Sequence, residues 1–541
     1  MRGTTLGRAL ITLAVLGLVV GAHALRVVST PAIQHDDAIS HLAATAHQGA
    51  YEESAPVGAW IPVADWARFW HLDDRPGQLA TIGRDLARHD LHPPLYFWLL
   101  HGWIAAVGTQ AWTGPALNLV LVALTALALL ALARSLLPPH LAALTVLAWG
   151  VAPAVLRVTG YTRQYALLTL CTVVLALCLV HALRGESSPP TKVGRIAWRV
   201  GCGVTAACGL LTHLHFVLPL AASGMLAGLA VRKARNESEH RRAAWGVLLA
   251  LGLGGVAAGA LHPALLALAP GDAFDVEISA PAFGVRSLRV VAALLTFVTA
   301  RTPLAYGLLA LAVVAWIVAM RTRRGTENEP PAEELRTRRR LVARFTVGIV
   351  LGVVGLYLAF LSPQHAMADR YLAFVYPLLT VSFFAHLPPR APHLILAALV
   401  CASQLTQGVL ETSRHRSLWH ERSDALAATG FADGPRILLD SSARGAVPTV
   451  LWHASGDALV FAASQDQLLA EPAAWLDPIA DASVVEDIVY VSDLRYGNSQ
   501  DQRDQILALL ATRGLVAEPI PGGVYDLAAL YRLSAVDSSP K

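Results

Sequence analysis

The sequence predicts a polytopic α-helical membrane protein of about eleven transmembrane helices, with two interfacial helices and a small C-terminal α/β soluble domain. Three observations predict it. Of 541 residues, 55% are hydrophobic and only 15% are charged, against roughly 25% charged in soluble domains; the mean hydropathy is +0.50. Apolar runs of about 20 residues recur, each long enough to cross a hydrocarbon layer of ~30 Å. Lys and Arg gather in the loops beside these runs. A net charge of +4 placed this way is a topology signal and not a nucleic-acid surface.

The first apolar run, Ala9 to Val20, follows Arg2 and Arg8 and continues through Val27. Ala22-His23-Ala24 resembles a signal-peptidase site, but the unbroken apolar stretch and the many later spans favour an uncleaved first span. Further runs lie at 114–134, 140–157, 165–183, 197–212, 215–231, 244–269, 303–320, 343–361, 372–387 and 392–410, with shorter ones at 94–107 and 288–300. The basic clusters are Arg184 to Arg199, Arg232 to Arg242, and Arg321 to Arg340. Basic loops stay in the cytoplasm. All three clusters, and the N-terminus, fall inside only if 94–107 and 288–300 lie in the interface rather than cross it. Length agrees: a helix over 93–108 spans about 24 Å, short of the bilayer core.

The N-terminus is then inside, and residues 28–113, 157–164, 270–302, 362–371 and 411–541 are extracytoplasmic, on the periplasmic side of an inner (cytoplasmic) membrane. Residues 1–410 form the membrane domain, with 28–113 as its first outer loop. Residues 411–541 read as a separate soluble domain: strand Arg436–Asp440, helix Ser464–Leu469, strand Asp487–Ser492, helix Ser499–Arg513 and a hairpin around Pro521-Gly522-Gly523. The Glu327–Glu334 stretch, with two prolines, is a cytoplasmic loop. The five cysteines (Cys171, Cys178, Cys202, Cys208 and Cys401) lie in or beside apolar runs, so neither a disulfide framework nor a zinc site is expected.

Charged residues of the outer segments sit beside apolar helices. Asp36-Asp37 follows the first span, and Asp90 and His92 head the run at 94–107. Arg163 and Tyr165 open a later span, His213 and His215 make a tight outer turn, and His365, Asp369, Arg370 and Tyr371 mark another span mouth. Each has an ordinary reading. Asp37 can cap the helix that follows, Pro93-Pro94 can start one, the arginines can snorkel to headgroups, the histidines can be packed, and Asp73-Asp74 is a solvated turn. Those readings leave unexplained why carboxylates, imidazoles and guanidiniums from distant spans share one membrane face.

That combination suits transfer from a lipid-linked phosphate. Arg binds phosphate oxygens bidentately, a carboxylate can take a proton as general base, and a leaving phosphate needs positive charge where negative charge develops. The reaction composed from these parts is glycosyl transfer from a polyprenyl-phosphate sugar. Asp36 takes the acceptor's proton, and a single displacement inverts the anomeric carbon. No cofactor is required; a divalent metal is compatible with the site but not indicated.

The ordered motifs resemble the GT-C membrane glycosyltransferases, in the bacterial branch similar to protein mannosyltransferases, lipid A aminoarabinose transferases and Rgt-type galacturonosyltransferases. Asp36-Asp37 stands as the acidic pair after the first span, and Asp90-x-His92-Pro93-Pro94-Leu95 opens an interfacial helix. Arg163-Gln164-Tyr165 opens a later span, Thr212-His213 and Phe216 form a turn, and Arg370-Tyr371-Leu372 with Pro377 comes near the end of the membrane part. The resemblance covers about residues 1–410. It implies that Asp36, with Asp37 beside it, is the catalytic base and that Arg163 and Arg370 hold the lipid phosphate. His92, Tyr165 and Tyr371 also fall on the donor phosphate side, and Asp90 is a second, acceptor-side acid. Its implied partners are a polyprenyl-phosphate sugar donor, a lipid, glycan or protein acceptor, and membrane lipids. The chain departs from the pattern with Asp37 where Glu is common and His92 where some relatives carry Lys.

Two other functions fit parts of this pattern. A transporter or flippase of a lipid-linked sugar would use the same arginines, but it favours charge deep within the spans and internal repeats, and the sequence shows little of either. A phosphoethanolamine-type transferase uses a metal-bound Ser or Thr in a soluble domain; the C-terminal segment has only scattered histidine such as His453.

Overall fold

The computed structural model describes residues 2–30, 32–74, 77–90, 92–183, 192–234, 238–262, 333–359, 369–387, 391–479, 488–493, 498–525 and 528–535, together with residues 265, 284, 285 and 314. The expected span at 303–320, the expected interfacial helix at 288–300, and His365 lie outside the described residues.

The chain enters through α1 (Arg2–Val28), which delivers the first outer loop. That loop folds as α2 (His35–Ala44), α3 (Gln48–Ser54), β1 (Trp60–Pro62), α4 (Val63–Ala67), α5 (Gln78–His89) and α6 (Leu95–Val107). The membrane part continues with α7 (Thr113–Arg134), α8 (Pro139–Gly150), α9 (Pro153–Thr159), α10 (Tyr165–Ala182), α11 (Lys192–Leu210), α12 (Val217–Lys233), α13 (Ser238–Leu261), α14 (Glu333–Ala359), α15 (Tyr376–His386) and α16 (Ala391–Thr429).

Among the described residues, six helices are long and apolar enough to cross a membrane, or up to seven if the bent pair α8 and α9 is one span. The expectation of about eleven spans is therefore not met within them, and the reasons are local. The run at 140–157 breaks at Pro153, with Ala152 extended before it, and the two halves bend by 62°. The run at 372–387 yields only the 11-residue α15, about 16 Å long, which is buried rather than spanning alone. The run at 197–212 belongs to α11, whose first half carries Lys192, Arg195 and Arg199. The last run does not stop at 410: α16 is 39 residues long, from Ala391 to Thr429, and passes through the expected domain boundary.

α6 covers the short run expected at 94–107. Its 13 residues reach about 20 Å, and Tyr96, Phe97, Leu100 and Ile104 face the bundle. The Leu95 amide donates to the Leu211 carbonyl at 2.8 Å, which anchors the helix start after the two prolines.

Beyond α16 stands a six-stranded sheet in the order β1-β3-β2-β4-β6-β5, made of β1 with β2 (Arg436–Leu439), β3 (Leu459–Ala462), β4 (Ile488–Asp493), β5 (Leu515–Tyr525) and β6 (Ala528–Ala535). β2 runs parallel to β3 and β4; the outer pairings are antiparallel. The expected strands and helices at 436–440, 464–469, 487–492 and 499–513 are present within a residue or two. The hairpin expected around 521–523 is instead an irregularity inside β5, between Pro519 and Val524, and the chain reverses after Tyr525. β1 is contributed by the first outer loop, with Trp60 opposite Phe461. Tail and loop therefore share one sheet, and Trp66, Phe69 and Trp70 of the loop pack with Trp419, Ile437 and Val450.

Candidate active site

One end of the helix bundle gathers the sequence's candidate residues. α1 runs out there, and the chain turns into α2, whose first turn carries Asp36 and Asp37. The bend at Pro153 turns α9 toward the same end and places Tyr161, Thr162 and Arg163 on the turn before α10. A short 3-10 turn, Leu214–Phe216, presents His213, and a second, Asp369–Leu372, presents Arg370 and Tyr371.

Asp36 lies between two arginines. Arg163 Nη2 donates to its Oδ1 at 3.0 Å, and Arg370 Nη1 is 2.8 Å from Oδ2. Burial by itself would raise this carboxyl; Arg163, the His35 contact and Arg370 outweigh it and hold the group far below the usual carboxylate range. The arginines keep further donors. Among the described residues, Arg163 Nη1 and Arg370 Nε are buried without a hydrogen-bond partner. The Arg370 guanidinium lies over the rings of Tyr161 and Tyr371, at 5.5 and 5.4 Å. Burial pulls Arg370 toward neutrality, but Asp36, Tyr165 and Tyr371 hold its pKa above the ordinary value.

Asp37 faces the other way. Its Oδ1 accepts from the Thr162 amide at 2.5 Å and its Oδ2 from the Gln34 amide at 3.2 Å. Only 2% exposed, it ties the start of α2 to the loop carrying Arg163. Burial pushes its carboxyl up to about 7, against the two amides that favour the charged form. Of the acidic pair, Asp36 faces the arginines and Asp37 supports the backbone.

Asp90 is the C-cap of α5, in extended geometry. Its Oδ1 contacts Nδ1 of His92, so the two residues flanking Leu91 form a pair. Burial raises the Asp90 carboxyl; His92 first, then Arg163 and Arg444, bring it down to about 2. The His92 ring lies 6.2 Å from that of His213, which is 5.6 Å from Tyr165, itself 5.6 Å from Tyr371. Burial, together with His215, His92 and Arg163, keeps His213 well below the ordinary imidazole value, hence neutral. Its Nδ1 accepts the His215 amide at 3.0 Å. Asp36, Arg163, Arg370, Asp90, His92, Tyr165 and Tyr371 thus all converge. Among the described residues, no three His, Cys, Asp or Glu side chains are grouped to hold a metal ion.

One contributor was missed. Arg444, on the loop after β2, donates to the His89 carbonyl at 2.9 Å and approaches Glu52 at 3.2 Å and Asp90 at 3.8 Å. The local signal was strand, then Asp440-Ser-Ser-Ala-Arg-Gly, then helix Ala446–Leu451. That pattern places a loop at a strand's C-terminal end, where open α/β sheets bind, but no local feature of it says which surface the loop meets.

The family model described as dolichyl-phosphate-mannose-protein mannosyltransferase matches residues 91–260. No curated protein matches the sequence. The crystal structure of ArnT from Cupriavidus metallidurans in the apo state is similar, with a TM-score of 0.53, 12% sequence identity, and coverage of 100% of this chain and 99% of that one. ArnT from the same organism bound to undecaprenyl phosphate gives a TM-score of 0.54 at 12% identity, covering 100% of both chains. At that identity the likeness is one of fold, and it runs the full length. With apolar helices of spanning length, this chain is a multi-pass membrane protein that shares the fold of ArnT and, over α6 to α13, is similar to the dolichyl-phosphate-mannose-protein mannosyltransferase family.

Proposed function

We propose that this chain is an inverting glycosyltransferase that moves a sugar from a polyprenyl-phosphate donor to an acceptor hydroxyl of a lipid, glycan or protein, on the outer face of the cytoplasmic membrane. The observation that carries the proposal is the Asp36 carboxylate held between Arg163 and Arg370, at 3.0 and 2.8 Å. The ArnT structure that holds undecaprenyl phosphate supports the choice of carrier.

In this reading the donor phosphate competes with Asp36 for the two arginines. The free Nη1 of Arg163 and Nε of Arg370 give it additional donors. As the guanidiniums turn to the phosphate, Asp36 loses the charges that suppress its basicity and can accept a proton. The acceptor O–H gives its proton to Asp36. Its oxygen attacks the anomeric carbon from the face opposite the lipid phosphate, and the bond from that carbon to the phosphate oxygen breaks with its electron pair. The charge gained by the departing phosphate falls on Arg163, Arg370 and His92. Donor binding and base activation are then the same event, so Asp36 stays masked until a donor is bound. No step requires a metal, and the reading leaves the sugar open.

The test uses the full-length protein in lipid nanodiscs with a polyprenyl-phosphate sugar and an envelope lipid and glycoprotein extract, followed by mass spectrometry. Transfer by the wild type, with at least a ~100-fold loss in Asp36→Asn and retained polyprenyl-phosphate binding, is expected. Near-wild-type transfer by Asp36→Asn would sink the assignment of the base.

A further inference from the structure

We infer that Arg444 is a positioning residue through which the C-terminal sheet sets the Asp90–His92 pair; this rests on the reading of the site given above. The sheet is not an appendage at this point. β2, the central parallel strand, has β3 on one side and β4 on the other: the chain passes from β2 to β3 on one side and then crosses back to β4 on the other. Such a switch point leaves a loop projecting from the strand ends, and here the loop 440–445 projects onto the membrane site.

The loop is held firmly from behind. Asp440 is fully buried. Its Oδ2 accepts from Gln465 at 2.8 Å, Tyr490 at 2.9 Å and Ser492 at 2.8 Å, and its Oδ1 accepts from the Asp493 amide at 2.6 Å. Asn498 donates to the Asp440 carbonyl at 2.9 Å. In front, the Ser442 carbonyl accepts from Tyr51 at 3.1 Å. Gly445 leaves no room for a Cβ, because the ring of His35, next to Asp36, occupies that space. A loop with both faces fixed delivers its arginine to a defined place.

There Arg444 does two things to the end of α5. It donates to the His89 carbonyl, which holds the helix terminus, and it faces Asp90 Oδ2 while His92 Nδ1 holds Oδ1. With Nδ1 committed to the carboxylate, Nε2 is the nitrogen that His92 has for the donor phosphate. An imidazole oriented by a carboxylate, itself oriented by a cation, is a standard way of fixing tautomer and direction. Glu52, at 3.2 Å, keeps Arg444 from turning into the pocket itself. No part of this requires Arg444 to touch substrate.

The experiment compares wild type, Arg444→Met, Arg444→Lys, Asp90→Asn and the Arg444→Met/Asp90→Asn double variant, all full-length in nanodiscs. We expect a ten- to hundredfold loss of kcat for Arg444→Met, of the size outer-sphere partners carry at oriented histidines. Donor KM should change little, and Lys should restore part of the rate. The acid limb of the pH–rate profile should move to higher pH in Arg444→Met, since Asp90 has lost a cation, and return toward wild type with Lys. The double variant should be no slower than Asp90→Asn. Histidine NMR should show the His92 ring losing its fixed Nδ1 contact in Arg444→Met, a readout that remains even if the wild type transfers no sugar, so failure of the functional reading is separately visible. An unchanged His92 signal and acid limb in Arg444→Met, or fully additive losses in the double variant, would overturn the inference. If Arg444→Met does not fold, Arg444→Lys with an unmoved acid limb and His92 signal counts against it equally.

Discussion

Arg370 Nη1 lies 2.8 Å from Asp36 Oδ2, closing an ion pair between the 3-10 turn that precedes α15 and the first turn of α2. The pair is complete only when the first and last thirds of the described membrane part are packed together. In the proposed reaction, this pair masks the base until the donor arrives.

Unmasking should be visible in pH profiles. In Arg370→Ala, and in Arg163→Ala, donor KM should rise at least ~10-fold through loss of a charged contact. The Asp36 carboxyl, freed of one cation, should titrate at higher pH, so the acid limb of kcat/KM moves upward. Arg→Lys at either site should restore the charge but not the fork geometry, and recover binding only in part. Donor titration against a polyprenyl phosphate, with rates from pH 3 to 9, measures both effects. An acid limb unmoved by either alanine variant would mean that Asp36 is not the titrating base.

Asp37 should appear in stability rather than in chemistry. Its folded-state carboxyl, at about 7, is above the unfolded value, so its contribution is fully present below about pH 4 and is lost as pH rises through 7. Asp37→Asn keeps an acceptor for the Thr162 or Gln34 amide without the ionisation. Thermal unfolding across pH 4–8 should show a decline in the wild type that is flattened in Asp37→Asn. Identical pH slopes would contradict the burial-driven shift.

Glu411 joins three helices. It is 2.8 Å from Arg157 of α9 and 3.5 Å from Arg26 of α1, and it sits on α16. Removing one partner from a shielded ion network leaves charge uncompensated, at a cost of about 3 kcal/mol. Glu411→Ala should therefore lower the midpoint of thermal unfolding in detergent or nanodiscs, and Arg26→Met in the same background should recover part of it. No shift in Glu411→Ala would show the network to be solvated and weak.

The Asp440 hub should behave as a unit of the sheet. Asp440→Asn places an amide donor among groups that already donate, and the cost of the mispaired buried atoms is about 2 kcal/mol. Hydrogen exchange should rise in β2 and β4 before it rises in α7 or α10. Equal exchange in both regions would show that the sheet and the bundle open together.

The sequence by itself determined the class of protein, because apolar runs separated by basic loops are a direct imprint of the bilayer. It also picked out Asp36, Asp90, His92, Arg163 and Arg370, since charge beside an apolar helix end stands out in a chain with so few charges. The short helix after Pro93 was legible as a helix too brief to cross a bilayer, because length is a one-dimensional quantity. Span number did not read off as well, because apolar content does not distinguish a crossing helix from the buried 11-residue α15 or the halves bent at Pro153.

Only the tertiary structure decided which acid meets which cation. Asp36 and Asp37 are chemically identical neighbours, and successive residues of a helix point about 100° apart; packing against the turn at Thr162 and Arg163 sent one to the arginines and the other to backbone amides. The joining of β1 to β3 and the reach of Arg444 to Asp90 rest likewise on contacts between distant segments. Such contacts leave no local pattern, because their stabilisation depends on surfaces that exist only once both partners have folded.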